Sequence, residues 1–324
     1  MVLELLPDLY KIDVPIPNNP LKSLNCYVIQ SGGENLVIDT GFNRAECQDA
    51  LTNGLKELGV DLKKTSILIT HMHADHCGLV AHLIKEGARA YCSLEDATVI
   101  NRGEEQFLAM NVFAQTGGFP AAEMDTAIHK HPGYRFRPLG HVDFTLIDDG
   151  ESLIVGAYNF TCVKTPGHTQ GHMCLYERER KLLVSGDHIL QSITPNIALW
   201  SDKHDPLRDY LNSLDKVNEL DVALVLPGHR SLITDMSARV KELKAHHRER
   251  AAEVLAIISE KPQNAYEVAE KMTWDLTYDS FMDFPTAQKW FATGEALAHL
   301  KYLEGKGQIR REINNGIITF GSTL

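Results

Sequence analysis

The stretch "THMHADHCG", residues 70–78, sets His71, His73, Asp75 and His76 within six positions of one another. Imidazoles and carboxylates together suit borderline divalent ions, so this spacing predicts a metal site. Matching donors recur downstream. "TPGHTQGH" offers His168 and His172, "VSGDH" offers Asp187 and His188, and "VLPGH" offers His229. Each follows an apolar, strand-like run and a small residue, usually glycine, which permits close backbone approach and an exposed ligand. One such histidine alone is more often a satisfied structural residue than a ligand. Four clusters at four strand ends make a shared metal centre the better reading.

A sheet must bring these clusters together. "LYKIDVPIP", "LNCYVIQS" and "ENLVIDTG" read as strands, the last ending in Asp39, Thr40 and Gly41. "RAECQDALTNGLKELG" has helical spacing and stops at Gly59. "TSILIT" is a short β-branched strand that runs straight into the first histidines. A strand end opening into a loop is where α/β folds present reactive groups. After a strand at "ARAYCS", residues from about 101 to 137 form an insert in which "EEQFLAMNVFAQTG" has helical spacing and "HKHPGYRF" reads as irregular. Such an insert either shapes a substrate pocket or is a surface excursion. Strands resume in "DFTLIDDG", "ESLIVGAYNFTCVKTPG" and "MCLYERERKLLVSGDH", a helix opens at Asp205-Pro206, and "VALVLPGH" closes the series.

Around residue 235 the texture changes. "SARVKELKAHHRERAAEVLAIIS" is a long amphipathic helix with Val240, Leu243, His247, Ala251, Val254 and Ile258 on one stripe. Two more helical patterns follow, "NAYEVAEKM" and "TAQKWFATGEALAHLKYLEGKG", and then "IRREINNGIITF" with the hairpin signal Asn315-Gly316. Three helices and a hairpin form a winged-helix pattern. The expected division is a catalytic domain over residues 1–235 and a small winged-helix-like domain over 236–324.

"HMHADH", the Gly167-His168 pair, Asp187 and His229, in this order, resemble the metal signature of the metallo-β-lactamase superfamily. The resemblance covers roughly residues 1–235. It implies an α/β fold, a four-layer αββα sandwich with the site at one edge between two sheets. It also implies that His71, His73 and His168 hold one divalent ion, that Asp75, His76 and His229 hold a second, and that Asp187 bridges both. Zinc is the first expectation for the two ions, with iron or manganese as alternatives. In the zinc β-lactamases proper the position of Asp187 is not a bridging aspartate, so the chain looks more like the glyoxalase II and lactonase branches. The C-terminal helices, through "ALAHLKYLEGKG", resemble the small winged-helix domain of a β-lactamase-like subgroup that includes endoribonucleases.

That ligand set implies a mechanism. Two divalent ions balanced by Asp75, Asp187 and a bridging hydroxide leave about +1 for a developing oxyanion. Ions about 3.5–4 Å apart lower the pKa of a bridging water and polarise a carbonyl or phosphoryl oxygen. No protein nucleophile is needed, and either Asp75 or a metal-bound water relays a proton to the leaving group. Asp39 and His172 are expected behind the ligands, Asp39 because a ligand imidazole usually needs a partner on its other nitrogen. His188 should face away from the metals, since strand neighbours point to opposite faces. Cys77 reads as a small buried residue, His246 and His247 as structural, and His129, His131 and His141 of the insert region as surface residues by default, with substrate contact as the alternative. Ile193, Leu199 and Trp200 are expected either as an apolar, substrate-binding wall over the metals or as packing against the insert. Together with Phe107, Met110 and Phe113 of the insert they come with few clustered Arg or Lys, so a polyphosphate backbone would find little to pair with.

Composition sets the outer bounds. With 324 residues, 44% hydrophobic and 23% charged, the chain can bury a sizeable core. A formal net charge of −11 discourages nonspecific attraction to polyanions. Residues 240–324 carry 11 Lys and Arg against 12 Asp and Glu, a poor electrostatic footprint for nucleic acid. Packing against the catalytic domain, or a homodimer contact, is the expected role of that region. No apolar run is long enough for a bilayer, the first residues lack the early positive charge of a signal peptide, and the six cysteines show no CxxC pair. A cytoplasmic location with reduced thiols is expected. The expected activity is that of a binuclear metal-dependent hydrolase acting on a small-molecule ester, thioester or lactone. An endoribonuclease or phosphodiesterase is one alternative. An iron-dependent persulfide dioxygenase is another, disfavoured because it uses a single iron and this chain carries a complete second ligand set.

Overall fold

The β-branched and apolar runs of the first third build a seven-stranded mixed sheet in the computed structural model, which describes residues 1–275 and 278–323. Strands β1 (Val2–Leu6), β2 (Leu9–Pro15), β3 (Ser23–Ser31) and β4 (Glu34–Ile38) pair antiparallel in sequence order. Strands β5 (Thr65–Leu68), β6 (Arg89–Cys92) and β7 (Phe144–Leu146) continue the sheet in parallel. Parallel neighbours require crossovers. Helix α1 (Ala45–Glu57) supplies the first, and α2 (Ala74–Cys77) with α3 (Val80–Lys85) the second.

The third crossover is the insert. It is largely helical: α4 (Leu94–Arg102), α5 (Glu104–Thr116), α6 (Met124–Lys130) and α7 (Pro132–Arg135). "HKHPGYRF" reads as irregular because Pro132 ends one helix and opens the next, where its missing N–H is no loss.

The second sheet has the order β12-β11-β10-β9-β8. Strands β8 (Ser152–Val155), β9 (Tyr158–Lys164), β10 (Met173–Glu177) and β11 (Leu182–Gly186) are antiparallel. Strand β12 (Leu224–Pro227) returns parallel to β11 after helix α8 (Pro206–Asn218), which Asp205 caps by accepting from the Arg208 amide at 3.1 Å.

Burial defines four layers. Tyr27, Ile29, Leu36 and Leu68 of the first sheet pack against Phe160, Leu175, Val184 and Leu226 of the second, and these are strand residues facing one another. Outside the first sheet, Val28, Val37 and Ile67 meet Leu51 and Leu55 of α1, Leu83 of α3 and Ile100 of α4. Outside the second, Val163, Leu183 and Val225 meet Leu207 and Leu214 of α8. The order is helix, sheet, sheet, helix. Each fully buried aliphatic or Phe side chain in these layers contributes roughly 1.5–3 kcal/mol.

The C-terminal elements are α9 (Met236–Glu260), α10 (Ala265–Lys271), α11 (Thr286–Gly305) and the hairpin β13 (Ile309–Asn314) with β14 (Ile317–Ser322). Asn315 and Gly316 both sit at positive φ, as the two-residue turn requires. Leu243 and Val254 of α9 and Leu297 and Leu300 of α11 belong to the same buried cluster as α8 and the second sheet. The two parts of the chain therefore share one core. The insert touches the C-terminal elements as well: Met110, Ala114, Phe119 and Met124 close around Trp290 of α11. No helix among the described residues is long and apolar enough to cross a membrane. All six cysteines are buried and unpaired.

Candidate metal centre

The loops after β4, β5, β9, β11 and β12 converge at one end of the sandwich. His71, His73, Asp75 and His76 follow β5, with the last two on α2; His168 lies between β9 and β10; Asp187 follows β11 and His229 follows β12. Three groups of ligand atoms come within 4.8 Å of one another: His71, His73 and His168; His71, His76 and Asp187; and Asp75, His76 and His229. Every residue expected to ligate a metal falls in these groups. The rings of His73 and His168 are 4.5 Å apart, and His229 Nε2 stands 3.3 Å from Asp75 Oδ2 and 3.6 Å from Asp187 Oδ2.

The donor chemistry fits divalent cations. His71, His76, His168 and His229 each have a buried Nε2 without a protein partner, and Asp187 Oδ1 is in the same state. Their other nitrogens are committed. His168 Nδ1 donates to the Asn196 carbonyl at 2.8 Å and His229 Nδ1 to the Ser23 carbonyl at 2.7 Å. Thr70 gives its hydroxyl proton to Asp39 Oδ2 at 2.8 Å and so accepts from His71 Nδ1 at 3.1 Å. His76 Nδ1 donates to Asp39 Oδ2 at 2.7 Å. A donating Nδ1 leaves Nε2 as a lone pair facing inward. Orphaned polar atoms cost about 1–3 kcal/mol each when buried, so five in one place call for cations.

The carboxylates and imidazoles pull the site's histidines in opposite directions. Burial and the neighbouring imidazoles push His71 well below the ordinary imidazole value, and the same causes bring His73 down to about 3. His76 goes the other way: burial opposes its charge, but Asp39, Asp187 and Asp75 overcome that and hold it high. Burial also works against an ionised Asp75, yet the facing His76 and His229 keep it down at about 2.

The supports behind the ligands are specific. Asp39 adopts φ of 61°, in the left-handed region, and its carboxylate accepts from the Thr70 amide and hydroxyl and from His76. His172 is fully buried between the loops: its Nδ1 donates to Thr165 Oγ1 at 2.8 Å, and its Nε2 accepts from the Asp187 amide at 3.2 Å. Gly228 must be glycine, because a Cβ there would lie 2.6 Å from Asp187 Oδ1 and 2.8 Å from His76 Cε1. His188 turns away from the ligands and packs edge-on to Tyr210, with ring centroids 5.2 Å apart. Cys77 is buried and outside the ligand groups.

The structure adds Asp96, which the sequence reading does not single out. It sits 1% exposed on α4 and accepts from the Met72 amide at 2.9 Å, the Thr169 hydroxyl at 2.6 Å and the Gly171 amide at 2.9 Å. One carboxylate thus ties the His71–His73 loop to the His168 loop. Burial pushes it up to about 6, although all three donors favour the charged form. At the start of the same helix the Ser93 hydroxyl caps by accepting from the Asp96 amide at 3.3 Å.

The expected apolar wall is placed differently. Leu199 is 4% exposed within the core shared with α8 and α11, so its side chain is not open to a substrate. Trp200 stacks on Trp290 of α11 at 3.5 Å and 14°, and Ile193 is half-buried. The loop contributes instead through its backbone, since Asn196 holds His168. Of the insert histidines, His129 and His141 are largely exposed. His131 departs from the surface reading: its Nε2 is buried and unpartnered because Trp290 and Phe291 of α11 cover it.

Comparisons with known proteins agree with this architecture. Residues 20–229 match the family model described as metallo-beta-lactamase superfamily, and residues 251–323 match the metallo-beta-lactamase-like C-terminal domain. A crystal structure of a metallo-beta-lactamase family protein from Thermus thermophilus superposes with a TM-score of 0.83 at 31% identity, covering 98% of this chain and 100% of that one. A probable metallo-hydrolase of Bacillus subtilis is 26% identical over 93% of this chain and 94% of its own length. An atrochrysone carboxyl ACP thioesterase of Aspergillus fumigatus is 26% identical over 77% of this chain and 68% of its own. The family model alone spans more than half of the residues, and the chain belongs to the metallo-β-lactamase superfamily of hydrolases.

Proposed function

We propose that the protein is a binuclear metal-dependent hydrolase of acyl compounds, meaning esters, thioesters or lactones. The observation that carries the proposal is the convergence of five buried ligand atoms that have no protein partner, four of them on imidazoles oriented by their neighbours. His71, His73 and His168 would hold one ion, Asp75, His76 and His229 the other, with Asp187 between them. Two bound divalent ions, zinc in the first instance, supply an ionised water near neutral pH and a Lewis acid for the carbonyl oxygen.

The chain's own residues do the rest. Asp39 and Thr70 hold His71 and His76 in the tautomer that leaves Nε2 free. His172 holds the Asp187 backbone and Asp96 the two histidine loops. Asp75, on α2 with Oδ2 3.3 Å from His229 Nε2, is the carboxylate that takes the proton of the attacking water and returns it to the leaving atom. The same relative that matches over 77% of this chain carries a thioesterase name, which supports a thioester as the first substrate to try.

A phosphodiester or RNA substrate is the second reading, and cation placement weighs against it. Lys301 and Arg311 both pair with Asp202, Arg311 also with Glu304, and Lys289 is buried facing Glu123. These cations are already neutralised, so phosphates find few free partners. The test is a substrate panel run on chelated and metal-restored protein. Acyl thioesters, esters and lactones should turn over faster than bis(p-nitrophenyl) phosphate or RNA. Metal-dependent RNA cleavage without acyl hydrolysis would overturn the acyl preference and leave the metal reading standing.

A further inference from the structure

Two N–H donors lie where the insert meets α11, and neither has a protein partner. His131 Nδ1 accepts from the Gly133 amide at 3.0 Å, so the ring proton of the neutral imidazole sits on Nε2, which is buried and unmatched. Trp290, 3% exposed, has an equally unmatched Nε1–H, and its ring is 5.2 Å from the His131 ring. Phe291 packs against the same imidazole at 4.8 Å and 39°, and Phe107 at 5.3 Å. Both Phe rings are half-buried. Helix α7, which His131 caps, packs on α2, the helix that carries Asp75 and His76.

An unmatched buried N–H loses the full cost of its desolvation unless something accepts from it. An oxygen flanked by planar apolar surface suits this surround, because aromatic side chains pack on flat groups while the donor fixes orientation. We propose that His131 is a substrate-binding residue: once the half-buried Phe107 and Phe291 rings turn aside to uncover it, its Nε2–H donates to an oxygen of the acyl group while they hold a planar part of that group over α7, the helix packed on α2. The reading rests on the hydrolase function above and narrows its substrate to acyl groups with an aromatic or extended planar portion. Burial lowers the imidazole to about 4, with the Asp75 carboxylate pulling weakly the other way. The ring is therefore neutral at working pH and acts as a hydrogen-bond donor.

Two substitutions separate this role from simple capping of α7. His131→Asn keeps an acceptor for the Gly133 amide and removes the donor, whereas His131→Gln offers an amide N–H near the Nε2 position. Zinc-loaded forms are compared for hydrolysis of 2-naphthoyl and acetyl thioesters, and for binding of 2-naphthoate followed by tryptophan fluorescence. His131→Asn should lower kcat/KM on the naphthoyl substrate roughly 10- to 100-fold. It should also weaken naphthoate binding roughly tenfold, the loss of about one well-placed hydrogen bond. His131→Gln should recover most of both. Metal content should stay at wild-type level. Wild-type kcat/KM and wild-type naphthoate binding in His131→Asn would overturn the proposal. If wild-type protein cleaves a phosphodiester and no acyl substrate, the acyl reading fails separately, and the Asn and Gln ratios on that substrate decide whether His131 still donates to it.

Discussion

Four ligand imidazoles show a free Nε2 because a named group takes each Nδ1: Thr70 for His71, Asp39 for His76, Asn196 for His168 and Ser23 for His229. That these residues would gather at one place was legible in the sequence, because metal-competent chemistry shows in residue type and spacing. Asp39 was legible for the related reason that it ends a strand beside them. Asp96 was not, since its three partners are two backbone amides and a hydroxyl in distant loops, contacts that leave no local pattern. It carries a direct prediction. Asp96→Asn keeps the size but puts an amide where Met72, Thr169 or Gly171 donates, so a donor faces a donor. Affinity for zinc, measured by competition with a chelator, should fall about 10- to 100-fold. Unchanged affinity would reduce Asp96 to a tether between loops with no bearing on metal binding.

Elements were more legible than their packing. The strands from β2 onward, α1, α8 to α11 and the C-terminal hairpin follow from periodicity and from signals such as Asp205-Pro206 and Asn315-Gly316. Strand β1 and helices α2 to α4, α6 and α7 escaped, each of these helices being nine residues or fewer and too short to show a clear period. What periodicity cannot supply is which faces meet. Arg239 of α9 donates to the Leu190 and Ile193 carbonyls at 2.7 and 2.9 Å, pinning the loop whose Asn196 holds His168. Trp290 of α11 stacks on Trp200 of that same loop and fills the insert's small core. Trp290→Ala should therefore cost about 3–5 kcal/mol of unfolding free energy in a denaturant titration. A loss below about 1 kcal/mol would show that the insert and α11 do not depend on each other.

At the scale of the molecule, the expected boundary near residue 235 marks a change of texture rather than a break in packing, because one buried cluster runs from the second sheet through α8, α9 and α11. The C-terminal elements thereby reach the catalytic end in two ways: Arg239 fixes a loop behind a ligand, and Trp290 and Phe291 cover His131 of the insert. A charge count could point to packing rather than nucleic-acid binding for this region, but it could not name these contacts. The central claim is that the chain assembles a two-metal hydrolytic site, and metal titration of the activity tests it most directly. Metal-free protein should hydrolyse an acyl thioester negligibly, and activity should rise with added zinc until two ions are bound per chain, while Asp187→Ala fails to hold the pair. Full activity without metal, or saturation at a single tightly held iron with oxygen consumed in the presence of a persulfide, would contradict the account.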